Sequence, residues 1–363
     1  MKIITCFGRN VTIPENIDRV VCSGGGCLRY LVYLQAQNYV VGVDSIEKEK
    51  REIEGRPYVL ANPQLKDYPL IGEFRGEDDP EKMIAVGPQV ILKTITPGSV
   101  SVTSAADADK LQDETGIPVV MFPYGSLKNQ KDRVEMNNSL RVMGEVVDKQ
   151  ERAEEVIAYI DATMHDLQNR TVGILESERK VVYVGGVSSR AAAYGIISTE
   201  PAYPPFLWVN ANNVAAGIGA DHAHIAMEAL LDWDPEYLFV DMSTIQRCDG
   251  GAIGELKNDA ALTGLSAIKN NKVYGVIPYN YYSINFESVL ANAYFVGKVL
   301  YPALFEDINP EAKANEIYTF FVGKPVFSEL NGQYGNLVFK QIPLCDGDIM
   351  ECILPTEQFR KIT

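Results

Sequence analysis

The stretch DKQERAEEVIAYIDATMHDLQNRT, residues 148–171, is the part of the chain on which the rest turns. Ala153, Val156, Ile157, Ile160, Met164 and Leu167 recur in steps of three and four, which lays one apolar stripe along a helix. Glu151, Arg152, Glu154, Glu155, Asp161, Asp166 and Gln168 fall largely on the other side, and no Pro or Gly interrupts the run. At about 1.5 Å per residue such a helix is a rod of roughly 30 Å, near the width of a small domain. An ordinary surface helix would look the same in isolation. Two flanking segments of similar kind, each alternating apolar β-type runs with helical ones, argue instead for a spine between two α/β halves.

At 363 residues two domains are expected, and 46% hydrophobic with 22% charged residues is a globular balance. A net charge of −15 argues against nucleic acid, whose phosphates call for clustered Lys and Arg. No apolar run approaches the ~18–20 residues of a membrane span. The opening MKIITCFGRNVTIP passes directly into strand-like sequence without a secretory core, which fits either a cytosolic protein or a mature form stripped of its export signal. Cys6, Cys22, Cys27, Cys248, Cys345 and Cys352 form no C-x-x-C pair, so zinc-ribbon and thioredoxin-type readings fail. Cys22 with Cys27, and Cys345 with Cys352, are spaced for short disulfide loops or stand as reduced buried thiols.

Residues 1–16 read as a hairpin turning at Gly8-Arg9-Asn10 and stopped by Pro14. Strands are expected at 19–22, 39–43, 70–72, 90–92 and 117–122, with helices at 27–37, 82–86 and 105–115 and a polar connector over about 47–69. After the spine come strands at 180–184, 237–241 and 273–276. Helices are expected there at 221–231, 256–262 and, as a long final helix, 284–304, with weak signals beyond Gly323 and an extension over 337–363. Strand runs that are apolar throughout, rather than alternating, indicate parallel sheets covered on both faces. The boundaries are 1–145 for the first lobe, 146–173 for the spine, 174–325 for the second lobe and 326–363 for a C-terminal extension.

The run Cys22-Ser-Gly-Gly-Gly-Cys27 lies where a strand gives way to a helix, so its backbone N–H groups are placed to meet an anionic or carbonyl-bearing ligand; a tight turn at a sheet edge is the plainer account. Neither it nor Gly217-Ile-Gly219-Ala is G-x-G-x-x-G. G-x-S-x-G is absent, and no catalytic residue is assigned. Of the three histidines, His165 is a packing or surface residue of the spine; His222 and His224 flank Ala223 at an expected helix start, where they point apart and make a poor metal clamp unless that segment is extended. No metal ligands are therefore assigned. Arg75, Tyr124, Arg190, Tyr194, Tyr279, Tyr281 and Tyr282 gather at loops after strands, where parallel α/β sheets bind ligands. Tyr and Arg there suit a large oxygen-rich ligand, although exposed loops hold such residues in any protein.

Taken in order, several segments resemble the substrate-binding proteins of ABC importers for ferric siderophores, haem, cobalamin and related chelates. They are Gly8–Pro14 with Ile17–Val21, Tyr39–Val43, Ile71-Gly72, Asp79–Ala85, Gly87–Ile91, Gly116–Val120, Ala226–Leu231 with Asp234-Pro-Glu236, and Ala267–Asn270 with Val273-Tyr274. The likeness runs from about residue 3 to about 323. It implies an α/β fold of two Rossmann-like lobes with mostly parallel sheets joined by one long helix, the class III periplasmic-binding-protein architecture. It further implies a monomer that holds a metal chelate or corrinoid between its lobes outside the membrane, without a cofactor of its own. Its partner would be a permease dimer, docked through Glu81 and Glu228. Where the family has Pro-Asp, this chain has Pro88-Gln89 and Pro235-Glu236.

On that footing the ligand-binding residues are Ser23, Gly24, Gly25, Arg29, Arg75 and Tyr124 from the first lobe and Arg190, Tyr194, Tyr279 and Tyr281 from the second. Arg would neutralise carboxylate or phosphate, and Tyr would supply flat contacts or an iron ligand. A receptor for free zinc or manganese is disfavoured by the scarcity of histidine. A cytosolic α/β enzyme binding a nucleotide or phosphorylated ligand at Ser23–Gly26 is the alternative from another class, and a scaffold without a small ligand is a third.

Overall fold

The computed structural model describes residues 1–344 except 50, 75–76, 96–103, 190–191 and 281–282. The chain divides into two compact units. The first comprises Met1–Glu52, Pro57–Ala162 and Phe320–Lys324; the second comprises Ile53–Arg56, Thr163–Thr319 and the chain from Pro325.

The helix read first spans Gln150–Thr171. Its stripe is buried as expected: Ala153, Val156, Ile157, Ile160, Met164 and Leu167 are each at most 5% exposed. The division between the units falls inside it, after Ala162.

The first unit is built on four parallel strands in the order Val40–Gly42, Val20–Ser23, Val90–Ile95, Val119–Pro123. The three longer ones are buried almost throughout, which is why their runs carry no alternation. On one side Val21, Ile91, Val119 and Met121 pack with Met83 of the helix Pro80–Val86 and with Ala108 and Leu111 of the helix Ala105–Thr115. Asp79 caps the first of these helices through the Lys82 N–H, and Ser104 with Asp107 forms a capping box at the second. The N-terminal hairpin pairs Lys2–Ile4 with Asn10–Thr12 as expected. A 17-residue helix at Gln130–Val146 was not expected. It buries Met136, Ser139, Leu140, Met143, Gly144 and Val146, and Asn129 caps it. Phe320 and Phe321 close the unit against Tyr159, at ring separations of 4.1 and 5.6 Å.

The second unit has its own parallel sheet in the order Asn212–Asn213, Val181–Gly185, Tyr237–Asp241, Val273–Val276. The helix Phe286–Leu300 is buried on nearly all sides, and Gly297 makes room for the Phe305 ring: a Cβ there would lie 2.3 Å from it.

Three expectations need correction here. The helix expected over 221–231 begins only at Met227, and Ala223–His224 is instead a short strand paired antiparallel with Ser198–Thr199. The helix expected at 256–262 lies earlier, at Gly251–Asn258. Nor is Phe286–Leu300 the last helix: Pro310–Val322 and Phe327–Gln333 follow. The start of the expected extension belongs to the second unit, where Val338 and Gln341 bridge to Gly275 and Tyr274 and Phe339 stacks between Phe295 and Phe327. Residues 345–363, with Cys345 and Cys352, lie outside the described residues.

Candidate functional site

The residues singled out in the first unit cluster at the carboxyl edge of its sheet. Ser23 ends one strand, and the chain leaves it through Gly24 and Gly26, at φ of 87° and 80°, before the helix Cys27–Tyr33 begins. Gly24 is demanded by its neighbour as well as by its φ, because a Cβ would lie 2.5 Å from the Thr94 carbonyl. Thr94, on the adjoining strand, donates its hydroxyl to the Gly25 carbonyl at 2.8 Å. The turn is thereby pinned to two strand ends.

Beneath it lies a charge pair. Lys93 Nζ reaches Asp78 Oδ2 at 2.6 Å and Ser23 Oγ at 3.0 Å, while Ser23 donates to Asp78 Oδ1 at 2.5 Å. Lys93 and Asp78 side chains are 0% and 3% exposed. Burial pulls the Lys93 pKa down and Asp78 opposes it. Ser23 is thus committed to an internal network, and Gly24, Gly25 and Gly26 beside it are buried as well. The sequence reading missed both partners, although a lysine inside the apolar run Val90–Ile95 was itself a signal that a buried charge needed one.

Arg29, in the first turn of the following helix, is fully buried. Its guanidinium carbon lies 4.5 Å from the Tyr30 ring centre and 5.8 Å from those of Tyr33 and Tyr124. Tyr30 donates to the Tyr124 carbonyl at 2.8 Å, which ties the helix to the end of Val119–Pro123. Ser23, Gly24, Gly25, Arg29 and Tyr124 are therefore brought together; Arg75 lies outside the described residues. Cys22 and Cys27, which flank the turn, are free buried thiols, and burial raises Cys22 well above the usual range.

In the second unit the predicted residues divide. Tyr279 follows its strand but is 1% exposed, with its hydroxyl 2.7 Å from Glu200 Oε2 and its pKa pushed up by burial. It belongs to a buried polar network at the carboxyl edge of the sheet, with Tyr203, Asn292 and Asp241 nearby. Asp241 ends the strand Tyr237–Asp241, and burial lifts its carboxyl to about 7. Tyr194 is half-buried beside His222 and His224 at ring separations of 5.8 and 4.7 Å. Arg190 and Tyr281 lie outside the described residues. Glu81 and Glu228 are exposed in the first turns of Pro80–Val86 and Met227–Trp233, one on each unit. Among the described residues no three His, Cys, Asp or Glu side chains are grouped for a metal, and no helix is long and apolar enough to cross a membrane.

Known proteins resemble this chain along most of its length. The molybdate-binding protein MolA of Haemophilus influenzae is 23% identical over 333 residues, which is 88% of this chain and 90% of that protein. Its molybdate-bound structure superimposes with a TM-score of 0.68, covering 89% of this chain and 98% of MolA. A periplasmic solute-binding protein of Veillonella parvula gives 0.70 at 18% identity over 91% and 95% of the two chains. An ABC transporter solute-binding protein of Sulfurospirillum deleyianum gives 0.64 at 20% identity over 93% and 99%. The model of a family described as periplasmic binding protein matches residues 20–279, through both sheets, and the chain belongs to that family.

Proposed function

We propose that this protein is the extracytoplasmic solute-binding component of an ABC importer and that its solute is an anionic, metal-containing small molecule. One observation carries the reading: the family match runs through both units, and its 260 or so residues include every strand end discussed above. The solute class draws on two further facts. MolA binds molybdate, and this chain places a fully buried arginine, walled by tyrosines, beside a glycine turn at the carboxyl edge of its first sheet. Haem, through its propionates, and the anionic iron chelates carry the same combination of metal and negative charge, so they stand with molybdate in one class. In this reading Arg29 supplies positive charge, Gly24 and Gly25 supply backbone donors, and Tyr124 and Tyr194 supply flat contact. The protein binds and releases without chemistry, and Glu81 and Glu228 dock on the permease.

The test is a thermal-shift panel on ligand-free protein: molybdate, tungstate, sulfate, ferric siderophores, haem, cobalamin, ATP and NAD. A ligand at ~100 times its dissociation constant adds about 2.7 kcal/mol of stability, a shift of several degrees. A shift with one metal-containing anion, lost in Arg29→Gln, is the expected result. A shift with a nucleotide alone overturns the proposal in favour of an enzyme.

A further inference from the structure

We infer that Ser188, Asp241 and Ser283 are the second unit's hydrogen-bond donors to the solute, and that this solute is a compact oxyanion. The inference rests on the anionic solute proposed above and gives its recognition to neutral O–H groups. Ser188 follows the strand Val181–Gly185, Asp241 ends Tyr237–Asp241 and Ser283 follows Val273–Val276, so all three stand at the carboxyl edge of one sheet, at the ends of three neighbouring strands. Ser188 Oγ, Asp241 Oδ2 and Ser283 Oγ are each buried and without a hydrogen bond among the described residues. Buried polar groups are as a rule paired, because an unpaired one gives up its hydration for nothing. Three of them at one sheet edge mark a place where a molecule from outside the chain completes the bonding.

The loops that carry these groups are tied to one another. Gly186 turns the chain at φ 73° and lies against Asp241, since a Cβ on it would be 3.3 Å from the Asp241 carbonyl oxygen. Asn280 Nδ2 donates to the Ser188 carbonyl at 3.2 Å, which joins the loops after Val273–Val276 and Val181–Gly185. Asn285 Nδ2 holds the Ser283 carbonyl at 3.1 Å. Asp241 is a donor like the two serines. Its Oδ1 accepts the Ser243 N–H at 2.9 Å, which leaves the carboxyl proton on Oδ2. Burial lifts this carboxyl to about 7, opposed by Ser243, so the proton is in place below neutrality. Around it, burial keeps the Tyr203 and Tyr279 hydroxyls protonated, and Glu200 accepts from Tyr279 at 2.7 Å. Three O–H groups suit a tetrahedral dianion, which accepts hydrogen bonds on every oxygen and donates none. Groups already withdrawn from solvent in the ligand-free chain admit a ligand of a few atoms and not a macrocycle.

The experiment is a calorimetric titration of full-length protein with molybdate and with sulfate, from pH 6 to pH 9, on wild type, Ser188→Ala, Ser283→Ala and Asp241→Asn. Both anions keep their charge over that range. Expected is saturable wild-type binding of one of them, with an affinity that falls about tenfold per pH unit above 7 as Asp241 ionises. Each serine variant should bind about 10–100-fold more weakly. Its melting temperature without ligand should be unchanged or raised, because the hydroxyl removed had no partner. The Asp241→Asn amide keeps a donor where the carboxyl proton was and does not ionise, so that variant should bind alike at pH 6 and pH 9. Equal affinity in wild type and both serine variants overturns the inference and leaves these groups to internal water, and so does a pH profile in Asp241→Asn that parallels wild type. Binding of haem or a ferric siderophore without either oxyanion overturns this inference alone and leaves the transport reading standing. A response to nucleotide alone overturns both.

Discussion

Asp241→Asn is expected to make the protein more stable at pH 8 and to leave it nearly unchanged at pH 4. Asp241 is 1% exposed; its Oδ1 accepts the Ser243 N–H at 2.9 Å, and its Oδ2 has no hydrogen bond among the described residues. Burial raises its pKa from 3.8 to about 7, opposed by the bonds from Ser243. Between those two values the native state holds a proton that the unfolded chain has released, so this group makes stability fall as pH rises. About three pH units at 1.36 kcal/mol each gives on the order of 4 kcal/mol, lost progressively from pH 4 to pH 8. Asn keeps an oxygen for the Ser243 N–H and carries no charge at either end of the range. Urea unfolding of both proteins at pH 4, 5, 6, 7 and 8 measures the difference directly, since the other carboxylates titrate in both and cancel. Wild type and variant curves should converge in acid and separate by a few kcal/mol in base. Parallel curves, or a variant less stable at pH 8, would refute a neutral buried Asp241.

The first unit offers a contrasting case. Asp78→Ala leaves Lys93 buried without its carboxylate and should cost about 3–5 kcal/mol, read as a fall of roughly 6–20 °C in melting temperature; a surface-like change below 1 kcal/mol would mean the pair is not buried in solution. Gly24→Ala drives a Cβ to within 2.5 Å of the Thr94 carbonyl at φ 87° and should cost about 1–3 kcal/mol while weakening solute binding; urea titration and the ligand panel check the two halves separately. Glu81→Lys with Glu228→Lys should change stability by no more than about 0.5 kcal/mol and leave solute affinity intact, yet abolish uptake in cells; full uptake would remove these residues from the docking surface.

What could be read in advance follows from which interactions are local. The central strands of both sheets announced themselves because Val20–Ser23, Val90–Ile95 and Tyr237–Asp241 are buried on both faces and so are apolar nearly throughout. The spine helix was legible because its burial is a stripe on an otherwise charged rod. The helix Gln130–Val146 escaped because Ser139 and Gly144 occupy buried positions, so its inward face does not read as apolar, and Asn137-Asn138 lowers its propensity. His222 and His224 were drawn into a helix by the apolar spacing downstream. Their true partner strand lies near Ser198, which no pattern within residues 221–231 reveals.

At the sites the same distinction holds. The glycine turn was visible because its backbone geometry leaves a residue-level mark. Lys93 was passed over because the expected strand stopped at Leu92, and its partner Asp78 lies 15 residues away on a different strand pair. Tyr279 looked like an exposed loop tyrosine because its Glu200 partner is 79 residues distant, and only the fold makes that contact buried. The family resemblance rests on framework segments that packing dictates, such as Asp79–Ala85 and Gly116–Val120. Solute identity rests on a few side chains at strand ends, which packing leaves freer to vary. A chain can therefore declare its architecture through two hundred residues and still keep its cargo in fewer than ten, which on the reading proposed above centre on Arg29 and the tyrosines around it.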